Sequence, residues 1–143
     1  MLTPSGASCD NRLVRRLIPV LVVSLTLAAC GLLGPSKNRT RELTGTVEPL
    51  GTTIPPDHHF KVTKNGEFEL ELAEFSAGPN IQVGVSLGTS APGGGCLDLI
   101  VRFLFRGQNF TGPMFSGDYC VAVFDRGALT EPATYRIRLS TPN

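Results

Sequence analysis

A chain of 143 residues holds one domain and little more. Its 13 basic and 12 acidic residues nearly cancel, which argues against a nucleic-acid partner. Sixteen Gly and eleven Pro, with no Trp, do not suit a helical bundle; they suit short strands joined by tight turns.

The chain opens with a signal. Arg15 and Arg16 precede an apolar run from Leu17 to Leu27, and small residues follow. A positive start, a short apolar segment and a small-residue end make a secretory signal peptide over residues 1–29. The run falls short of the roughly 20 apolar residues a transmembrane helix needs, and Pro19 interrupts it. The stretch before Arg15 is long for such a signal and carries Cys9 and Asp10, so translation is expected to start downstream of Met1.

Leu27-Ala28-Ala29-Cys30 resembles the lipobox of bacterial lipoproteins: an aliphatic residue, two small ones, then cysteine. The resemblance implies a diacylglycerol on the Cys30 thiol, cleavage just before it, and acylation of the new amino group. Each buried CH₂ contributes about 0.8 kcal/mol, so two acyl chains suffice for a stable anchor. The membrane would then be the first partner of this chain, reached through Cys30. In that family an Asp after the cysteine favours inner-membrane retention, so Gly31 points to the outer membrane. The alternative is an ordinary signal peptide with a chance Cys.

Residues 30–42 read as a flexible tether. Gly31, Gly34, Pro35 and Ser36 precede a small basic cluster, Lys37, Arg39 and Arg41, without periodicity. Residues 43–143 read as the folded domain. Once residues 1–29 are removed, ten basic and eleven acidic residues remain, so the domain is nearly neutral.

From Leu43 onward the hydrophobic period is two. "LTGTVEP" is a first strand. In "HFKVTKNGEFELEL", Phe60 and Val62 alternate with Lys61 and Thr63, and Phe68, Leu70 and Leu72 with Glu67, Glu69 and Glu71. Opposed residues share a face, so a hairpin here needs a three-residue loop, Lys64-Asn65-Gly66, with Val62 opposite Phe68 and Phe60 opposite Leu70. Ile81, Val83, Val85 and Leu87 alternate next. "GTSAPGGG" is a loop. Leu97, Leu99, Val101, Phe103 and Phe105 are placed on one core face. "GQNFTGPMF" reads as a Gly/Pro-rich loop whose Phe110, Met114 and Phe115 either pack beneath it or contact a partner. Tyr119, Val121 and Val123 alternate, as do Tyr135, Ile137 and Leu139, with Arg136 and Arg138 outward. About seven or eight strands in roughly 100 residues, without a helical stripe, predict an all-β antiparallel β-sandwich.

Cys96 and Cys120 form an even pair in an exported domain, which reads as a disulfide. In the predicted alternation both point away from the core, as neighbours could. Closing such a loop of about 25 residues stabilises by roughly 3 kcal/mol in the chain-entropy model.

The end of the chain, "SGDYCVAVFDRGALTEPATYRIRLS", resembles the bacterial pre-peptidase C-terminal domain. Gly117-Asp118-Tyr119, alternating valines, a short loop and Tyr135-Arg136-Ile137-Arg138-Leu139 carry the likeness, and "HFKVTKNGEFELEL" matches how such domains begin. The resemblance covers about residues 46–140. It implies a small jelly-roll-like sandwich, usually appended to an exported enzyme; here it would stand alone on a lipid anchor.

Chemistry is sparse. Asp57-His58-His59 is the one histidine cluster, and a metal-dependent hydrolase using His58 and His59 would need both rings to converge with carboxylates. On a strand the two would face opposite ways. A Ser90–His58 pair lacks the strand–Ser–helix context of a nucleophile elbow. Asp98, Asp118 and Asp125 could serve Ca²⁺ but match no known spacing. No metal or cofactor site is assigned. The expected function is a non-catalytic, lipid-anchored module of the bacterial cell envelope that binds an envelope protein or glycan. The alternatives are the His58/His59 hydrolase and an envelope inhibitor or assembly factor acting through loop 106–116.

Overall fold

The computed structural model describes residues 38–143. The expected signal peptide, Cys30 and the first part of the tether lie outside the described residues. Nine strands run β1 (Arg39–Val47), β2 (Thr52–Thr53), β3 (His59–Val62), β4 (Gly66–Phe75), β5 (Val83–Ser90), β6 (Cys96–Leu104), β7 (Asn109–Met114), β8 (Gly117–Phe124) and β9 (Ala133–Thr141). One sheet has the order β1-β9-β4-β7. The other has the order β2-β8-β5-β6, with β3 also on β8, and every pairing is antiparallel.

β2 and β3 follow the same edge of β8, opposite Val123–Phe124 and Gly117–Cys120 respectively. They are one strand interrupted by Pro55 and the 3-10 turn Pro56–His58. Counted so, eight strands divide into two four-stranded sheets. The first strand lies beside the last, and the second beside the next to last, which is the jelly-roll arrangement of a β-sandwich.

The core lies between the sheets and follows the period-two pattern. Phe68, Leu70 and Leu72 of β4, Val83, Val85 and Leu87 of β5, Val121 and Val123 of β8, and Tyr135, Ile137 and Leu139 of β9 are all buried. A bulge between Leu72 and Glu74 shifts the phase of β4. It turns Phe75 inward and leaves Glu74 outside to meet Arg136. Arg138 likewise meets Glu71 at 2.9 Å, so the outer face of this sheet is a ladder of exposed ion pairs.

Four expectations are corrected. The tether ends sooner, because Arg39–Glu42 pair with Arg138–Thr141 and belong to β1. Arg41 is only half-exposed, with its guanidinium 4.5 Å from the centroid of Phe60, so a charged residue occupies an inward position. β3 and β4 are not a hairpin: β3 pairs with β8, whereas β4 pairs with β7 and β9 in the opposite sheet. Phe60, Val62, Phe68 and Leu70 do face one core, but from opposite sides of it.

The "GQNFTGPMF" segment is not a loop. Asn109–Met114 form edge strand β7 against β4, Met114 is buried, and Phe110 packs edge-on to Phe68 at 5.6 Å. From Ile100 onward β6 takes the opposite phase from the expected one. Leu104 is buried and Ile100 packs on the core, while Leu97, Leu99 and Phe103 are exposed. A bulge opposite Leu87 and Gly88 inserts Leu99 between the two halves of β6.

Candidate functional site: the outer face of the five-stranded sheet

The β6 bulge determines what this face displays. Cys96 and Asp98 precede it on the expected outward phase, and the shift brings Phe103, which follows it, to the same side. Cys96 and Cys120 form the expected disulfide, with Cα atoms 5.7 Å apart. Their strands flank β5, so the start of β6 must fold over β5 to reach β8. Gly88 makes room for it: a Cβ there would stand 2.2 Å from the Leu97 carbonyl oxygen and 3.0 Å from the Cys96 sulfur.

Ser86, on the same outward phase of β5, is wholly buried beneath this fold-over and donates its hydroxyl to Asp98 Oδ1 at 2.6 Å. Gly84 completes the phase. A Cβ on it would lie 2.3 Å from the Phe124 ring, so that ring occupies the space above Gly84. Phe103 meets Phe124 edge-on at 5.8 Å, and the Arg126 guanidinium lies 5.2 and 5.7 Å from the two ring centroids. A depression of about 280 Å³ opens here, with Ser86 and Asp98 in its lining together with Phe124 and Arg126. A larger, more open depression of about 810 Å³ lies at Thr44 and Tyr135. Its Arg136 and Glu74 are already paired with each other, so it offers less unspent chemistry.

The two histidines do not converge, which overturns the His58/His59 hydrolase. His58 is wholly buried, in the gap between β2 and β3. Its Nδ1 faces the Val121 carbonyl at 3.1 Å, and Tyr135 packs edge-on at 5.8 Å. Nδ1 must therefore carry the proton it donates to that carbonyl. Burial lowers the His58 pKa below the usual 6.5, against the opposing pulls of the Val121 carbonyl, Asp57 and the Thr44 carbonyl. His59 points to the outer face opposite Cys120, with Nδ1 2.9 Å from Ser90 Oγ. Ser90 donates its own proton to the Tyr119 carbonyl at 2.8 Å, so His59 is the donor to Ser90. That is the reverse of the proton path that activates a nucleophile.

The three Asp residues also separate. Asp98 holds Ser86, and Asp118 lies opposite Lys61. Asp125 is buried and accepts from the backbone N–H groups of Leu50, Gly127, Ala128 and Leu129 at 2.9–3.3 Å. Burial alone would raise its pKa, but these four bonds outweigh burial and lower it. Among the described residues no three His, Cys, Asp or Glu side chains gather as a metal site requires. Sequence reading missed Ser86, Phe103, Phe124 and Arg126 as a group. Its one available signal was the run of small residues Gly84, Ser86 and Gly88 on the outward phase of β5.

No family model matches the chain, and no curated protein does. Among solved structures it is similar to the mitogen of Yersinia pseudotuberculosis at 16% identity and TM-score 0.49, over 74% of this chain and 87% of that one. It is similar to a periplasmic inhibitor of g-type lysozyme from Aeromonas hydrophila at 11% and 0.48, over 77% and 91%. A carbohydrate-binding module of a Cellvibrio mixtus lichenase follows at 9% and 0.47, over 76% and 92%. At these scores the likenesses carry no argument about function.

Proposed function

We propose that this chain is a non-catalytic binding module of the bacterial cell envelope, anchored by acyl chains on Cys30, that engages its partner with the outer face of the five-stranded sheet. The observation that carries the binding reading is the Asp98–Ser86 pair facing Arg126 beside Phe103 and Phe124. The partner is an envelope glycan or protein. The inhibitor alternative would act through residues 106–116, of which Asn109–Met114 form an edge strand rather than a loop and Phe115 is exposed. The jelly-roll order supports the likeness to the pre-peptidase C-terminal domain.

The lipobox Leu27-Ala28-Ala29-Cys30 supports the anchor, and Gly31 supports the outer membrane over the inner. Among the described residues no helix is long and apolar enough to cross a membrane. The intact mass of membrane-extracted protein tests the anchor: a chain starting at Cys30 with acyl chains is expected, and an unacylated chain contradicts it. Incubating that protein in detergent with lipid-stripped envelopes tests the binding. Saturable retention is expected, and its loss after protease or after glycan digestion assigns the partner class. Absence of retention contradicts the reading.

A further inference from the structure

We propose that the depression between Asp98 and Arg126 is a subsite for one residue of an uncharged sugar. This deepens the binding-face reading and rests on it.

One wall of the depression is apolar, formed by Phe124 and Ile54. Phe124 lies over Gly84, and Phe103 stands edge-on to it with 40% of its surface exposed. The C–H faces of a pyranose ring pack against such a surface, while its rim of hydroxyls needs both donors and acceptors. The rim of the depression supplies both. Asp98 is an acceptor whose single hydrogen bond, from Ser86, engages Oδ1 and leaves Oδ2 for a ligand. Ser86 is wholly buried and fixes the carboxylate in place, so less ordering remains to be done on binding. Arg126 carries five N–H donors, and the structure engages its guanidinium only through the two rings.

Charge and size narrow the class further. One carboxylate and one guanidinium sum to zero, so the pocket has no excess charge to hold a polyanion. Ligand pockets start at about 300 Å³, and the depression is about 280 Å³. That encloses one ring of a longer chain rather than several. The Cys96–Cys120 bridge holds the start of β6, and with it the acceptor Asp98, over β5.

Amide chemical shifts of the ¹⁵N-labelled protein test this directly, with N-acetylglucosamine, glucose and galactose as probes. Saturable shifts confined to residues 84–88, 96–103 and 122–126 are expected. Asp98→Asn keeps an oxygen to accept from Ser86 and should weaken the apparent affinity about tenfold. Arg138→Ala, on the other sheet, should leave it unchanged. No shift with any of the three sugars, shifts confined to the other sheet, or an Asp98→Asn variant that binds as well as wild type would overturn the proposal. So would shifts produced by a zwitterion such as D-alanine and not by the sugars. If sugars fail while lipid-stripped envelopes still retain the protein, the ligand class is wrong and the binding-face reading stands. If both fail, the binding-face reading fails too.

Discussion

His58 and Asp125 show how two titratable residues are committed to structure rather than chemistry. The Pro55-Pro56 interruption leaves Val121 and Ala122 of β8 without strand partners on that side, and the His58 ring fills the gap. The folded protein keeps the ring neutral, because burial lowers its pKa. The unfolded chain binds a proton below about pH 6.5. This contribution to stability is therefore complete above pH 6.5 and declines as the pH falls below it. Urea denaturation at pH 7.5 and 5.5 should show a lower midpoint at 5.5, and His58→Leu should flatten that difference. Asp125 ties the turn at Leu50 to the loop after β8. Leu50 has a positive φ of 56°, and the bond from its N–H to Asp125 helps hold it there. Asp125→Ala leaves four backbone donors without their acceptor and should cost about 3 kcal/mol in unfolding free energy.

At the scale of elements, the small outward residues of β5 allow β6 to fold over it. Gly88→Ala puts a methyl group against the backbone of Leu97, which cannot swing aside as a side chain would. It should destabilise by about 2–3 kcal/mol and leave free thiol at Cys96 and Cys120 in a thiol titration; an oxidised, equally stable variant would disprove the crossing. The period-two pattern made the strands and their inward residues legible for β4, β5, β8 and β9, where a face alternates cleanly. It misread β6, because Leu97, Leu99, Val101 and Phe103 alternate as a core strand does. β6 is an edge strand, however, and its bulge and its cover over Gly88 leave those apolar residues outside. It misassigned β3 and β4 for a different reason. Alternation says which side of a strand is buried, but a turn between sheets and a hairpin bury the same residues. β1 was cut short because Arg39, Arg41 and Glu42 read as solvated chain, whereas Arg41 lies over Phe60. The site itself was legible only in parts: Cys96 and Cys120 from their number and phase, but not Arg126, which reaches Phe103 only through the fold.

In the whole molecule the two sheets have different outer faces. The four-stranded sheet presents Arg136 and Arg138 paired with Glu74, Glu42 and Glu71. Such exposed pairs contribute little to stability, so Arg138→Ala should fold normally. The five-stranded sheet presents rings, a buried Ser86 and charges without an ion-pair partner, fixed by a disulfide. The expected anchor would hold this sandwich at a membrane through only the few residues between Cys30 and β1, close to envelope polymers. The most direct measurement compares wild type, Arg126→Ala and Arg138→Ala for retention on lipid-stripped envelopes. The expected result is at least about a tenfold loss of affinity for Arg126→Ala and wild-type retention for Arg138→Ala. Equal retention of all three, or a loss confined to Arg138→Ala, would contradict a binding face on the five-stranded sheet.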